Sequence, residues 1–438
     1  MKLLVIGNSA REDAIGYCLQ KSDECEGIFF APGNAGTAER GQNVDLKPTD
    51  IAGLTSFAEE EKIGLTIVGG EEPLPLGIVD EFRSRKMNIF GPTKAAARIE
   101  TSKKFSKALF NENGVPTAAH RSFSSYTRAV AYLEKVSYPV VVKASGLAAG
   151  KGSRICRTPD EAALALHDFM IRKIFGDNGS TVVIEEFLYG RESSVHVIAD
   201  IYSHQLINTA WQDHKYLNAA TDEHPEGTGP MTGGMGTYSP VPWMTDAVMR
   251  DIDQTFAVPI LEGLRKKRSR FTGCLFPGLI TMPNGWRKIL EANARLGAPE
   301  TESLARNFEN MLETFDACAR NKLDTVKIQM GTRAVVSLVL ASGGYPGKYP
   351  TGHRIVGIEK AKGNPNVEVF HAGTVMREGK PVTNGGRVLT VSATGKTLAE
   401  AQKTAYAAAD KIKFLDPTGR DTKYVRPDIG HQGLNYQP

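Results

Sequence analysis

The chain has 438 residues, 41% hydrophobic and 23% charged; that is the balance of a folded chain of about three domains at roughly 150 residues each, and it excludes collagen-like, mucin-like and wholly disordered classes. Lys and Arg number 53 against 49 Asp and Glu, too mild an excess to argue for a nucleic-acid partner but suited to a small anionic substrate. The early apolar run Leu3-Leu4-Val5-Ile6 is far short of a membrane span, and Cys18, Cys25, Cys156, Cys274 and Cys318 have neither disulfide nor zinc spacing, so a cytoplasmic protein without a membrane partner is expected.

The first hundred residues alternate short apolar runs with amphipathic stretches. Strands are predicted over 2–7, 27–31, 65–68 and 88–91. Helices are predicted over 11–21, with Ala14, Ile15, Cys18 and Leu19 inward, over 51–62, and after Leu76. This alternation predicts a doubly wound parallel sheet. In such sheets ligands sit beyond the carboxyl ends of the strands, which here carry Gly7-Asn8-Ser9-Ala10-Arg11, the glycine-bearing loop 32–37 and Gly69-Gly70-Glu71-Glu72. Any one of these loops reads most simply as a tight turn; three on one edge predict a binding crevice.

From about Glu100 the texture changes. A long helix over 101–113 precedes strands over 139–144, 153–157, 181–187 and 192–201, with a helix over 159–175, which together read as a small α+β unit. A helix over 245–267 leads to strands over 276–282 and 286–293, joined as a hairpin because Asn284-Gly285 tolerates the positive φ of a tight turn. Strands over 335–340, 367–371 and 387–391 follow, then a helix with Leu398, Ala401, Ala405, Ala408 and Ile412 inward. The segments 211–215 and 228–236 lie in a stretch without clear periodicity, and long loops of this kind are often functional.

The stretch from Lys143 through Gly146, Gly150 and Lys151 to Gly152 looks at first like a P-loop. The glycines are one residue too close, Gly152 stands where Ser or Thr would bind magnesium, and an apolar strand follows where a helix is required. A strand, a glycine turn with two lysines and a second strand instead make a flap able to close over phosphates, whose oxygens approach glycine N–H groups while ammonium groups neutralise them. Glu291 and Asn293, two apart on the predicted hairpin, share one face and offer hard oxygen ligands for magnesium completed by substrate phosphates; alone, that spacing is more often an exposed strand end. The basic run over 265–270 is most simply a cationic helix C-terminus.

Taken together, the segments Ala31-Pro-Gly-Asn-Ala-Gly-Thr37, Phe90-Gly-Pro-Thr-Lys-Ala-Ala96, Gly146-Leu-Ala-Ala-Gly-Lys-Gly152, Glu185-Glu-Phe-Leu188, Gln212-Asp-His-Lys215, Thr232-Gly-Gly-Met-Gly236, Asn293-Ala-Arg295, Gly344-Tyr-Pro-Gly347 and His371-Ala-Gly-Thr374 stand in one family's order. On them the chain resembles the glycinamide ribonucleotide synthetases (phosphoribosylamine-glycine ligases) of the ATP-grasp superfamily over essentially its whole length. The resemblance implies an N-terminal α/β substrate-binding domain over 1–100, a central ATP-grasp region over 101–333 with a mobile lid at about 116–189, and a C-terminal mixed α/β domain over 334–438. It further implies an ATP-dependent carbon–nitrogen ligase of purine biosynthesis that joins glycine to 5-phosphoribosylamine through a glycyl phosphate, with Mg2+ or Mn2+ as cofactor and small molecules as partners. A monomer is expected, with an oligomer left open.

By the same resemblance, Lys103, Lys143 and Lys151 would contact ATP phosphates, Glu185, Phe187 and Leu188 would form the adenine hinge, and Glu192 would hold the ribose. Glu291 and Asn293 would hold the metal. Asp213, Lys215, Arg295 and the loop of Thr232, Gly233 and Gly234 would line the acceptor side, with Lys143, Lys151, Asp213 and Arg295 as catalytic residues. Gly7, Arg11, Asn34 and Thr37 would approach the phosphoribosyl group. Against the family pattern, Ser9 and Ala10 replace glycines and Asp13 a histidine, Ser145 and Ala298 stand where Asp is usual, and Met231 where Asn is usual. These departures keep two alternatives open: an ATP-grasp ligase with another acceptor or donor, and a catalytically silent nucleotide-binding relative.

Overall fold

The computed structural model of the chain describes residues 1–148, 152–212 and 232–436. The N-terminal unit is a five-stranded sheet of β1 (Lys2–Gly7), β2 (Gly27–Pro32), β3 (Gln42–Asn43), β4 (Leu65–Val68) and β5 (Ile89–Phe90), in the order β3-β2-β1-β4-β5 with every pairing parallel. Leu3 to Ile6 are wholly buried because helices cover both faces. Leu4 and Ile6 pack with Leu54, Ala58 and Phe82 of helices Ile51–Glu60 and Ile78–Ser84, whereas Leu3 and Val5 pack with Ala14 and Ile15 of helix Ala10–Leu19 and with Phe315. Strand order reverses between β1 and β4, so the loops after these two strands diverge and open a crevice.

A separate four-stranded antiparallel sheet follows, of β6 (His120–Phe123), β7 (Val140–Ala144), β8 (Ser153–Cys156) and β9 (Val182–Glu186), in the order β6-β9-β7-β8. It has its own core, in which Val140, Val142 and Ile184 meet Ala129, Ala162 and Phe169 of the two flanking helical stretches. The expected helix over 159–175 is Pro159–Leu166, capped by the Thr158 hydroxyl, and continues as a π-helical turn, His167–Ile171. The helix expected over 101–113 is Lys103–Glu112, and a separate helix, Lys94–Thr101, precedes it. Ser102 separates them, because its extended backbone lets its hydroxyl accept the Phe105 N–H at 3.3 Å.

The strand expected over 192–201 does not belong with the small sheet. As β10 (Arg191–Ala199) it enters a nine-stranded sheet with β11 (His204–Gln212), β12 (Gly236–Ser239), β13 (Gly273–Thr281), β14 (Arg287–Asn293), β15 (Ala334–Ser342), β17 (Val367–His371), β20 (Arg387–Gly395) and β22 (Lys423–Val425). Its path is β14-β13-β10-β11-β12-β15-β20-β17, with β22 on β15. Seven consecutive buried residues of β10 fit this interior position, between β11 and β13. The stretch read as irregular thus holds β11 and β12, which carry the sheet without a break from the centre into the C-terminal third.

The predicted hairpin is β13–β14, with Gly285 at φ +83° in its turn. The remaining strands, β16 (Arg354–Val356), β18 (Thr374–Arg377), β19 (Lys380–Thr383) and β21 (Lys413–Leu415), form a second C-terminal sheet. Helix Leu398–Ala409 packs Ala401, Ala405 and Ala408 inward, and Ile412 is buried just past its end.

Candidate active site

One cavity of about 470 Å³ lies where the crevice of the parallel sheet, the small antiparallel sheet and the β13–β14 hairpin meet. Fourteen of the residues named from sequence line it: Gly7, Arg11, Lys103, Lys143, Glu185, Phe187, Leu188, Glu192, Thr232, Gly233, Gly234, Glu291, Asn293 and Arg295. Lys151, Asp213 and Lys215 lie outside the described residues. β8 follows the glycine turn and pairs antiparallel with β7, Lys143 opposite Ser153. A hairpin therefore stands where a P-loop would have a helix, and Leu147, Ala148 and Gly152 face the cavity.

At its inner wall two ammonium groups meet one carboxylate. Glu185 Oε2 lies 3.0 Å from Lys143 Nζ and 3.1 Å from Lys107 Nζ, all three side chains being buried. Lys107 also donates to Thr117 Oγ1 at 2.7 Å, and Lys143 to the Leu290 carbonyl at 3.3 Å. Burial works against the charge on Glu185, but the two lysines outweigh it and hold the carboxyl below its usual range. Burial likewise disfavours charge on Lys143, where Glu185 and Glu291 reverse the sign and raise it. Lys107 loses that contest and is pulled down to about 8. Lys103, on the first turn of its helix, is lowered by burial and by Lys143.

The side chain of Glu185 is thus a structural counter-ion inside the wall. Only its backbone, continuing into Phe187 and Leu188 between the small sheet and β10, remains for a base edge. Lys107, adjacent in space but four residues from Lys103, has no motif of its own and was missed by sequence reasoning.

Glu291 and Asn293 lie two apart on β14 and both line the cavity, with the Asn293 amide nitrogen 3.5 Å from Glu291 Oε1. An amide oxygen and a carboxylate are the hard oxygen donors that a small hard cation takes. Two protein oxygens with the rest supplied by phosphate and water fit magnesium.

Toward the crevice, Arg295 is shared between two acids. Its Nη2 lies 3.1 Å from Glu100 Oε1 and its Nε 3.4 Å from Glu71 Oε2. Burial opposes ionisation of Glu71, yet Arg295 and Arg11 bring it down to about 2, whereas burial keeps Glu100 raised. Arg11 is held by Glu12 at 2.6 Å and by the Leu296 carbonyl at 3.2 Å. Glu12 also accepts the Ser9 N–H at 2.6 Å. A Cβ on Gly7, at φ +138°, or on Gly69 would fall within 3 Å of that carboxylate, so both positions require glycine.

A second cavity of about 700 Å³ adjoins the first and shares Asn8, Ser9, Ala298 and Arg387 with it. Its walls come from the loop after β2, from the segment around Gly373 and Thr374, and from Glu302. Asn34 lines this second cavity rather than the first, and its carboxamide is committed: Oδ1 accepts the N–H groups of Gly36 and Thr37, and Nδ2 donates to Asn8 at 3.0 Å and to His371 at 2.6 Å. Thr37 is fully buried, donates to Asn43 and lines neither cavity. Both side chains shape the loop after β2, and Asn34 borders the second cavity while doing so. Arg387 and Glu302, which both line these cavities, were not among the residues named from sequence.

The departures from the family pattern acquire causes. Asp13 is no loop contact; it pairs with Arg40 and accepts the His371 N–H at 2.7 Å, while Arg40 reaches Glu368 at 3.1 Å. Ser145 accepts the Lys104 N–H on its hydroxyl at 3.1 Å and the Lys103 N–H on its carbonyl at 2.8 Å. Ala298 leaves open the junction of the two cavities, where its carbonyl accepts from Arg387 at 3.0 Å. Met231 lies outside the described residues.

Comparison with known proteins gives a consistent result. The three profiles described as phosphoribosylglycinamide synthetase N domain, ATP-grasp (A) domain and C domain match residues 1–100, 101–301 and 335–432. The phosphoribosylamine–glycine ligase of Pasteurella multocida is 43% identical over 437 residues, covering 99% of this chain and 98% of that one. Its counterpart from Escherichia coli K12 is 43% identical over 440 residues, covering 99% of both. The crystal structure of the Thermotoga maritima phosphoribosylamine–glycine ligase superposes with a TM-score of 0.80 at 30% identity, over 98% of this chain and 100% of that one. The Campylobacter jejuni biotin carboxylase, at 13% identity and a TM-score of 0.72 over 100% of this chain and 97% of that one, shares the fold alone.

Proposed function

This chain belongs to the phosphoribosylglycinamide synthetase family, and from that premise we propose how its two cavities carry out the ligation. The reaction is the ATP-dependent joining of glycine to 5-phosphoribosylamine, giving glycinamide ribonucleotide, ADP and phosphate in purine biosynthesis. The observation that supports the reading most is the convergence of Lys103, Lys143, Glu291, Asn293 and Arg295, from three separate elements, on one cavity.

The chemical difficulty is that a carboxylate must attack a polyanion, so positive charge must be fixed in advance where the phosphates lie. Lys143 and Lys103 supply it, and Glu185 holds Lys143 in place. The base lies against the apolar wall of Val141, Ile155, Leu188 and Leu290, with the backbone of the Glu185 to Leu188 hinge pairing its edge and Glu192 on the ribose. Glu291 and Asn293 would hold Mg2+ or Mn2+, which when bound would supply positive charge to offset that of the phosphates. By the family resemblance Lys151 would add a further positive charge for the phosphates.

A glycine carboxylate oxygen attacks the γ-phosphorus, the bond to the β-bridging oxygen breaks, and ADP leaves. The sugar amine then attacks the acyl carbon, phosphate departs and the amine loses a proton. Arg295, pinned by Glu71 and Glu100, and the Thr232 to Gly234 loop orient glycine, and the family resemblance assigns Asp213 and Lys215 to the same step. Gly7 and Arg11 border the acceptor, whose phosphoribosyl part enters the second cavity. Closure of the small sheet keeps water from the acyl phosphate.

The partners are these small molecules, and we take the chain to be a cytoplasmic monomer; no described helix is long and apolar enough to cross a membrane. A coupled assay tests the assignment. ADP should appear only when glycine and phosphoribosylamine are both present, and Glu291→Ala should abolish it while nucleotide still binds. ADP formation indifferent to glycine would refute it.

A further inference from the structure

Glu302 sits on the short helix Glu300–Leu304, every residue of which is buried. Its side chain lines the second cavity, is 1% exposed, and its Oε2 has no hydrogen-bond partner among the described residues. Arg387 lines the same cavity from β20, and its Nη1 is engaged by the carbonyls of Gly234 at 3.2 Å and Ala298 at 3.0 Å. The two side chains feel each other's charge but form no ion pair. A buried carboxyl oxygen without a partner costs stability, and its retention beside a cavity calls for a ligand group that satisfies it.

The electrical surroundings decide what that group is. Helix Ala10–Leu19 packs against the Glu302 helix and carries Arg11, Glu12 and Asp13; β20 contributes Arg387; β12 and β15 contribute no charged residue, and Glu300 lies on Glu302's own helix. Burial raises the Glu302 carboxyl to about 8, against the pull of its own backbone N–H, Arg387 and Arg11 and with the help of Glu300. At neutral pH it is therefore an acid with a hydrogen to give. A neutral acid next to a guanidinium complements an anionic oxygen, which accepts from both; an ionised carboxylate in the same place would repel it.

We propose that Glu302 is a specificity-determining residue for the phosphorylated acceptor: its carboxyl O–H donates to a phosphoryl oxygen seated in the second cavity beside Arg387. This rests on the assignment of that cavity to the phosphoribosyl group. The sign of the pH effect follows. Below about pH 8 the donor is present; above it, each bound phosphate dianion must either recruit a proton to Glu302 or face a second negative charge, so affinity falls by up to about tenfold for each further pH unit.

The test is calorimetric titration of the full chain with ribose 5-phosphate between pH 7 and 9.5, where its phosphate is already a dianion. The wild type should bind progressively more weakly above about pH 8. Glu302→Gln, which keeps a donor but cannot ionise, should bind with little change over that range, and Glu302→Ala should bind weakly throughout while the affinity for ATP is retained in both variants. A Glu302→Gln profile that parallels the wild type, in protein of unchanged melting behaviour, overturns the proposal. Failure of the wild type to bind ribose 5-phosphate at any pH overturns the assignment of the cavity itself, and the proposal with it.

Discussion

Two lysines meeting a single carboxylate oxygen at Glu185 define the residue scale of this site. A buried charge is tolerated only when paired, and removing one member of a buried set leaves the others uncompensated. Glu185→Gln should therefore lower stability in chemical unfolding by about 3–5 kcal/mol, and should weaken nucleotide binding because Lys143 loses its anchor. Unchanged unfolding would mean that the lysines are solvated. Sequence made Lys143, Glu291, Asn293 and Arg295 legible because each lies in a short recognisable string. It could not reveal Lys107, Arg387 or Glu302, which become neighbours of the site only through folding. Nor could it show that the Asn34 amide is bonded within its own loop, since a string of residues does not tell whether an amide faces a ligand or its own backbone.

At the scale of elements, the helix Lys103–Glu112 receives two caps at its N-terminus, the Ser102 hydroxyl on Phe105 and the Ser145 hydroxyl on Lys104. The second comes from the end of β7, so the small sheet is tied to the very turn that carries Lys103. Ser145→Ala should cost about 1 kcal/mol in stability and raise KM for ATP more than it changes kcat. An unaltered KM would separate the cap from nucleotide binding. Element legibility followed periodicity: β1 and the β13–β14 hairpin were readable from apolar runs and an Asn-Gly turn, whereas β12 is only four residues long and adjoins a glycine-rich segment. The helix Lys94–Thr101, which runs up to Ser102, was not read from the sequence.

On the scale of the whole molecule, the N-terminal unit and the C-terminal strands are joined by Asp13, Arg40, Glu368 and the backbone of His371, next to residues that line the second cavity. Asp13, a departure from the family pattern, is thus the centre of an interdomain tie. Asp13→Asn should lower stability by about 1.5–3 kcal/mol and raise KM for phosphoribosylamine while leaving KM for ATP nearly unchanged. Equal effects on both substrates would contradict the tie's confinement to the acceptor side. The continuity of one sheet from β14 to β17 could not be foreseen, because strands far apart in sequence make it.

The central claim is that this scaffold activates glycine's carboxylate by phosphorylation before the amine attacks. Glycine labelled with oxygen-18 in its carboxylate tests it in a single turnover with ATP and phosphoribosylamine. One labelled oxygen should pass into the released phosphate and one should remain in the amide product; phosphate free of label, in a reaction that still yields glycinamide ribonucleotide, would contradict the account.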